Sequence, residues 1–253
     1  MNDLASSFSE KRPLKVRPKT KPATRWLHGR LIEQIGLAIC DQELATGTVV
    51  KTEEFEQRYG VSRSVVRETV RVLESMGLVS STRRVGVLVL PPSRWNLYDP
   101  QIIRWRLASS ARITQLRSLT ELRYAVEPEA ARLAAIRAPL INSTELVALA
   151  RRMKVAGQMA DVELFLALDV RFHQLILESS GNEMFAKLDT LVEEVLTGRT
   201  TYGLMPIHPH EEALQLHIDV ANAIQKGIPE AAHDSMVAIM QRAIGEMNTT
   251  WTS

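Results

Sequence analysis

The stretch Ser62–Leu90, "SRSVVRETVRVLESMGLVSSTRRVGVLVL", constrains the fold more than any other part of the chain. Advancing about 100° per residue from Arg63 gathers Val65, Val66, Val70, Val72, Leu73 and Met76 into an arc of roughly 160°. Arg63, Ser64, Arg67 and Arg71 fall on the opposite face. A helix divided in this way packs on one side and presents a row of guanidinium groups on the other. Ser62 stands where its hydroxyl can cap the N-terminus, whose partial positive charge adds to the row. "LVSST" and "VGVLVL" then pair as a hairpin with Arg83 and Arg84 near its tip. Upstream, "WLHGRLIEQIGLAICDQEL" predicts a helix over residues 26–44. A short helix follows from Thr52, its N-cap, to Tyr59, and Gly60 stops it. Helix, helix, turn, basic helix and two-stranded wing is the winged helix-turn-helix order. That order puts arginines of the third helix into the major groove of DNA and the wing against backbone or minor groove. The competing reading is a solvated amphipathic helix beside an unrelated hairpin, and the ordered context favours DNA.

Past "LPP" at 90–92 the composition shifts and a domain boundary is expected. Residues 93–111 form a connector. Beyond it the periodicity predicts helices over about 112–137, 143–158, 161–179, 182–198, 211–226 and 229–248, broken at "APLINS", "SSGN", "MPIHPH" and "KGIP". The expected architecture is mainly α: a winged helix-turn-helix with a small β-hairpin wing over 25–92, then an all-α helical-bundle ligand-binding domain over 112–250. Residues 1–24, with Lys and Arg interleaved among prolines, suggest a flexible basic arm, acting on phosphates or merely as a solubilising tail. The net charge is only +2, so affinity for an anionic polymer must come from local clustering. The single cysteine, Cys40, cannot form an internal disulfide and suits a reducing cytoplasm. No apolar run approaches the length of a membrane span, about 20 residues. A cytoplasmic protein without membrane contact is expected.

The second region carries charge where a core should be apolar. Around Asp169, the residues Phe165, Leu168, Phe172, Leu175, Ile176 and Leu177 occupy a wide arc, and Asp169 and His173 lie inside it, one turn apart. His217 falls amid Ala213, Leu214, Val220, Ala221 and Ile224. A buried carboxylate beside an imidazole is costly unless paired, and an Asp/His pair at i,i+4 has the spacing of two ligands to one ion. Arg123 and Glu127 lie within the stripe of Leu116, Leu119, Val126, Ala130 and Leu133. An interior guanidinium stays protonated and must find an anion. Either Glu127 suffices as an internal partner, or Arg123 grips a carboxylate of a bound small molecule.

"YGVSRSVVRETVRVLESMGLV" followed by "RRVGVLV" resembles the signature of GntR-family regulators. "LRYAVEPEAARLAA", "LDVRFHQLILESSGN" and "HIDVANAIQKGIPEAAHDSM" are similar to the all-helical effector domain of the FadR-type subfamily. The resemblance implies DNA contacts at Arg63, Ser64 and Arg67, with Gly86 as the wing glycine and Arg84 beside it. It implies a divalent metal, Zn, Ni or Mn, on Asp169, His173 and His217, with an organic acid completing the site. The family's fourth ligand, a histidine, is replaced by Ile239. His233 faces inward but lies about 9 Å along the helix and about 120° round, a poor substitute. Two further departures are "VVKT" at 49–52 and Glu53, where an arginine is usual. The connector "SRWNLYDPQIIRWRL" also looks like that of galactonate-responsive repressors in the subfamily.

The chain is therefore expected to be a transcriptional repressor of a catabolic operon. It would act as a homodimer on double-stranded operator DNA and be controlled by a small carboxylate or sugar acid, with Arg123 and Glu127 among the effector contacts. The alternatives are a metal-dependent hydrolase or lyase using the Asp/His cluster, and a regulator that senses an acyl thioester.

Overall fold

A computed structural model describes residues 22–82, 84–204 and 209–251. The basic arm, except its last three positions, lies outside the described residues, as do Arg83 and most of the break at "MPIHPH". The head contains α1 (Pro22–Cys40), β1 (Val49–Val50), α2 (Thr52–Tyr59), α3 (Arg63–Ser75), β2 (Val79–Thr82) and β3 (Gly86–Val89). Its core joins Leu31, Ile35 and Ile39 of α1 to Val66, Val70 and Leu73 of α3, with Val79, Val87 and Val89 of the sheet. This is the apolar arc expected of α3, packed as the wheel requires.

The wing has three strands rather than two, in the order β1–β3–β2, all antiparallel. Val79 faces Val89 and Thr82 faces Gly86 across the hairpin, while Val49 and Val50 pair with Leu88 and Val87. Two residues are too few to display strand alternation, so β1 has no signature of its own in sequence. Its presence explains Gly86: with φ of 130°, an added Cβ would lie 2.7 Å from the Val50 carbonyl oxygen.

Two caps differ from expectation. Lys51 holds the N-cap position of α2 and Thr52 is its first helical residue. Ser62 does stand at the N-cap of α3, but its hydroxyl pairs with that of Ser64 at 2.9 Å instead of with the backbone. Gly60, in the left-handed conformation, ends α2 as expected.

The connector contains a helix, α4 (Pro100–Ala108), capped by Asp99, whose carboxylate accepts from Gln101 N at 2.9 Å. Then come α5 (Arg112–Arg137), α6 (Leu140–Gln158), α7 (Val162–Ser179), α8 (Glu183–Ala186), α9 (Asp189–Thr201), α10 (Glu211–Lys226) and α11 (Pro229–Trp251). The single helix expected over 182–198 is thus two, α8 and α9, with a turn at Lys187–Leu188 that periodicity does not register. Leu116, Leu146, Met153, Phe172 and Leu175 fill the centre of this bundle. Among the described residues no helix is long and apolar enough to cross a membrane.

α4 belongs to both cores. Ile102 and Trp105 lie in the head's core, Ile103 and Leu107 in the bundle's. Trp105 Nε1 donates to Glu33 of α1 at 2.6 Å, and its ring fills the notch left by Gly36. On the other side Leu107 sits in the notch of Gly198 on α9. Nearby, burial drives the Cys40 thiol up to about 12, against the opposing charge of Arg106, so it is an inert core residue.

Glycine to alanine inside a helix ordinarily gains about 1 kcal/mol. At Gly36 the new Cβ would stand 2.5 Å from the Trp105 ring, and overpacking of that kind costs about 1–3 kcal/mol. Gly36→Ala is therefore expected to destabilise the head. Urea unfolding followed by tryptophan fluorescence checks this, and a raised midpoint would contradict the packing described.

Candidate functional site

Two sites emerge, one on each side of α4. In the head, burial follows the wheel. Val65, Val66, Val70 and Leu73 are enclosed, whereas Arg63, Ser64, Arg67 and Arg71 are exposed. A concavity of about 740 Å³ between α2, α3 and the wing brings Arg63, Arg67, Arg84 and Lys51 to one surface, with Gly86 at its edge. Arg84 sits at the hairpin tip with φ of 69°. Among the described residues the one carboxylate lining this concavity is Glu53, whose Oε1 lies 3.7 Å from Arg63 Nη2. The pair is exposed on both sides and so is worth little in stability. It does tether one arginine of the row, while Arg71 is held by Glu68 at 2.7 Å. The surface is cationic, concave and wide enough to receive an anionic polymer.

In the bundle, α7 contributes Asp169 and His173, α10 contributes His217, and α5 contributes Arg123 and Glu127. All five are buried. One oxygen or nitrogen of each of Asp169, His173 and His217 lies within 4.8 Å of the others. Asp169 Oδ1 is 3.3 Å from His173 Nε2 and 3.5 Å from His217 Nε2, yet it makes no hydrogen bond. The three ligand atoms are near enough to one another to share one ion.

The outer nitrogens are held from behind. His217 Nδ1 lies 2.8 Å from the Ala213 carbonyl in a hydrogen bond, whereas His173 Nδ1 stands 2.6 Å from Glu127 Oε2 as a charge contact without hydrogen-bond geometry. Phe172 meets both rings edge-on, at 5.6 and 5.4 Å between centroids. Anchoring Nδ1 on the Ala213 carbonyl leaves Nε2 of His217 free to act as a ligand atom. A buried, unsatisfied carboxylate oxygen, two oriented imidazole nitrogens and backing acceptors fit a divalent cation of the Zn2+ type.

Arg123 and Glu127 make a two-point pair, Nε to Oε1 at 2.5 Å and Nη2 to Oε2 at 3.2 Å. The internal-partner geometry is therefore present. Glu127 lies behind the cavity, between Arg123 and His173, whereas Arg123 also lines it. Burial pushes the Glu127 carboxyl up, but Arg123 and His173 outweigh it and hold the group at about 2. Burial likewise opposes ionisation of Asp169, and the two imidazoles hold it well below the usual carboxylate range.

The cavity itself measures about 60 Å³. Ile239, at the place of the family's fourth ligand, is on its wall and 8% exposed. His233 does not face inward as expected. It is half-exposed and bonds its neighbour Asp234 at 3.0 Å. Two arginines escaped notice in the sequence: Arg199 of α9 and Arg242 of α11, both lining the cavity. The wheel that singled out Arg123 would have found Arg199, which follows Val195 and Leu196 by four and three residues on a buried stripe.

The family model for "Bacterial regulatory proteins, gntR family" matches residues 27–89, and that for the "FCD domain" matches 118–242. The chain is 27% identical over 225 residues to the galactonate operon transcriptional repressor of Escherichia coli (strain K12), covering 86% of this chain and 96% of that one. It is 26% identical over 249 residues to the HTH-type transcriptional repressor NanR of Enterobacter sp. (strain 638), covering 95% and 90%. The structure of Lar, which controls expression of the Listeria monocytogenes agr system, superposes with a TM-score of 0.53 at 17% identity, covering 91% of this chain and 99% of that one. E. coli McbR/YncC gives 0.50 at 18% identity, covering 92% and 100%. These two likenesses establish the fold alone. The matched families and relatives are regulators, and the hydrolase or lyase alternative falls with that finding. The chain belongs to the gntR family of bacterial regulatory proteins, and it is a DNA-binding transcriptional regulator with an FCD domain behind its winged head.

Proposed function

We propose that this regulator is a repressor, acting as a homodimer on a two-fold operator and released by a small hydroxy or sugar acid held in the bundle. The observation that carries the effector half is the unsatisfied Asp169 Oδ1, facing the Nε2 atoms of His173 and His217 in a cavity that Arg123 also lines. Asp169, His173 and His217 would hold a divalent cation, which supplies a Lewis-acidic point for a carboxylate or hydroxyl oxygen. With Ile239 in place of a fourth protein ligand, positions are left over for the effector or water. Arg123 contributes a guanidinium to the cavity while Glu127 holds it in place. The relatives named for galactonate and for repression support the acid and the sign of control. The polar groups Arg123, Asp169, His173 and His217 on the wall argue against a purely apolar ligand such as an acyl chain, for which about 60 Å³ is also small.

In the head, Arg63, Ser64 and Arg67 are the proposed base and phosphate contacts, with Arg84 and Gly86 of the wing approaching the backbone. Guanidinium groups recognise guanine edges and phosphates, each good base contact being worth about 1–3 kcal/mol. The effector acts by binding one arrangement of the heads better than another, so its leverage equals that difference in affinity. A small reorientation suffices, because half-site spacing is matched to head spacing.

Two measurements test this. Arg67→Ala is expected to weaken operator binding by about ten-fold or more, read by fluorescence anisotropy on labelled duplex, while effector affinity by calorimetry stays unchanged. Loss of both would mean that the head and bundle do not function separately. Removing divalent ions with a chelator should lower effector affinity about ten- to a hundred-fold, and Zn2+ should restore it. His173→Ala should mimic the chelator and resist rescue. An acid that binds the chelated protein and the variant at full strength would overturn the metal-assisted site.

A further inference from the structure

Arg199 and Arg242 are charged groups on the cavity wall that the proposal above leaves without a task. Arg199 is 4% exposed, and its Nη2 donates to Glu246 Oε2 at 2.9 Å. Arg242 Nη1 donates to Glu212 Oε2 at 2.7 Å, at the surface. In both, Nε is buried with no hydrogen-bond partner among the described residues. A guanidinium keeps its charge and can only donate. Each such buried donor would gain from an acceptor placed against it. Burial, and then the charge of Arg123, disfavour the charged form of Arg199, while Glu246 and Asp169, both on the same wall, favour it without fully offsetting them.

Their position says where the acceptor would sit. α11 rises about 1.5 Å per residue, so Arg242 lies about 4.5 Å along the axis from Ile239. Glu246, to which Arg199 is bound, lies about 10.5 Å along it. Both arginines line the same cavity as Asp169, His173 and His217, beside Ile239 on α11.

We propose that Arg199 and Arg242 form a second oxyanion subsite, so that the preferred effector is a short hydroxy acid bearing an anionic group at each end. One end would bind at Asp169, His173 and His217, and the other would accept from the two Nε–H groups. This rests on the reading of the cavity as the effector site. The second oxyanion is a carboxylate or a phosphate, and the two are separable by experiment.

The test is calorimetry on the full-length, Zn2+-loaded protein with matched probes: glycerate against tartronate, and a six-carbon aldonate against its aldarate and its terminally phosphorylated form. A second anion is expected to raise affinity about ten- to a hundred-fold, the range of a charge-assisted hydrogen-bond pair. Whichever of the aldarate and the phosphorylated acid gains more identifies the oxyanion. Arg242→Met should erase the gain while changing aldonate affinity less than about three-fold. Arg199→Met should do the same, but it also removes a charge-assisted bond to Glu246. If that variant does not fold, Arg242→Met decides, since its partner Glu212 is exposed. Equal affinity of monoacids and diacids for the wild type, or a gain that survives in Arg242→Met, overturns the subsite. Failure of every acid to bind, with operator binding intact, instead removes the effector reading on which the subsite stands.

Discussion

Glu127 is the residue on which the bundle's interior depends. It lies between Arg123 and His173, each within hydrogen-bond distance, and it has almost no contact with solvent. Without it, a permanent cation and an imidazole would face each other in an apolar centre, and removing one partner of such a buried pair typically costs about 3–5 kcal/mol. With it, α5 is tied to α7, and through Asp169 the tie reaches His217 on α10. The same carboxylate lies 2.6 Å from His173 Nδ1 and places its charge behind that ring. Structural cohesion and ligand presentation are therefore properties of one arrangement of charge, and neither can be altered alone.

From that centre a physical route leads to the head. α9 places Arg199 on the cavity wall and, one residue earlier, Gly198 against Leu107 of α4. α4 in turn sets Trp105 into the notch of Gly36 on α1, and Arg104 to Glu194 of α9. α1 packs on α3, which carries the exposed arginines. Packed notches of this kind have few alternative arrangements, because dense interiors shift discretely and do not deform smoothly. A ligand that moved α9 would act on α4 through the contact of Leu107 with Gly198 and the Arg104–Glu194 pair.

What was legible in the sequence followed the two strongest periodic signals. The apolar arc of α3 with its arginine row, and the Asp169, His173 and His217 positions inside apolar stripes, stand where the wheel put them. The parts that escaped have physical reasons. β1 is two residues long, below the length at which alternation exists, and it is created by pairing with β3. The turn between α8 and α9 interrupts a helix-like pattern without a Gly or Pro to mark it. Ser62 has the right side chain for a cap, but Ser64 competes for its hydroxyl. His233 shows the limit of the wheel: a half-buried position is decided by what packs over it, and here Asp234 draws the ring outward. Arg199 escaped although it shares the buried stripe of Val195 and Leu196, because a charged residue near a helix end is usually solvated.

The two faces of α4 bear on how the head can be handled as a piece. Trp95, Ile102 and Trp105 are constituents of the head's own interior, although they follow the last strand in the chain. Trimming at the end of β3 would leave a vacancy beneath α1 as large as two indoles and a branched aliphatic side chain. A fragment meant to stand alone must keep α4, and would then expose Ile103 and Leu107, the very side chains that the bundle normally covers.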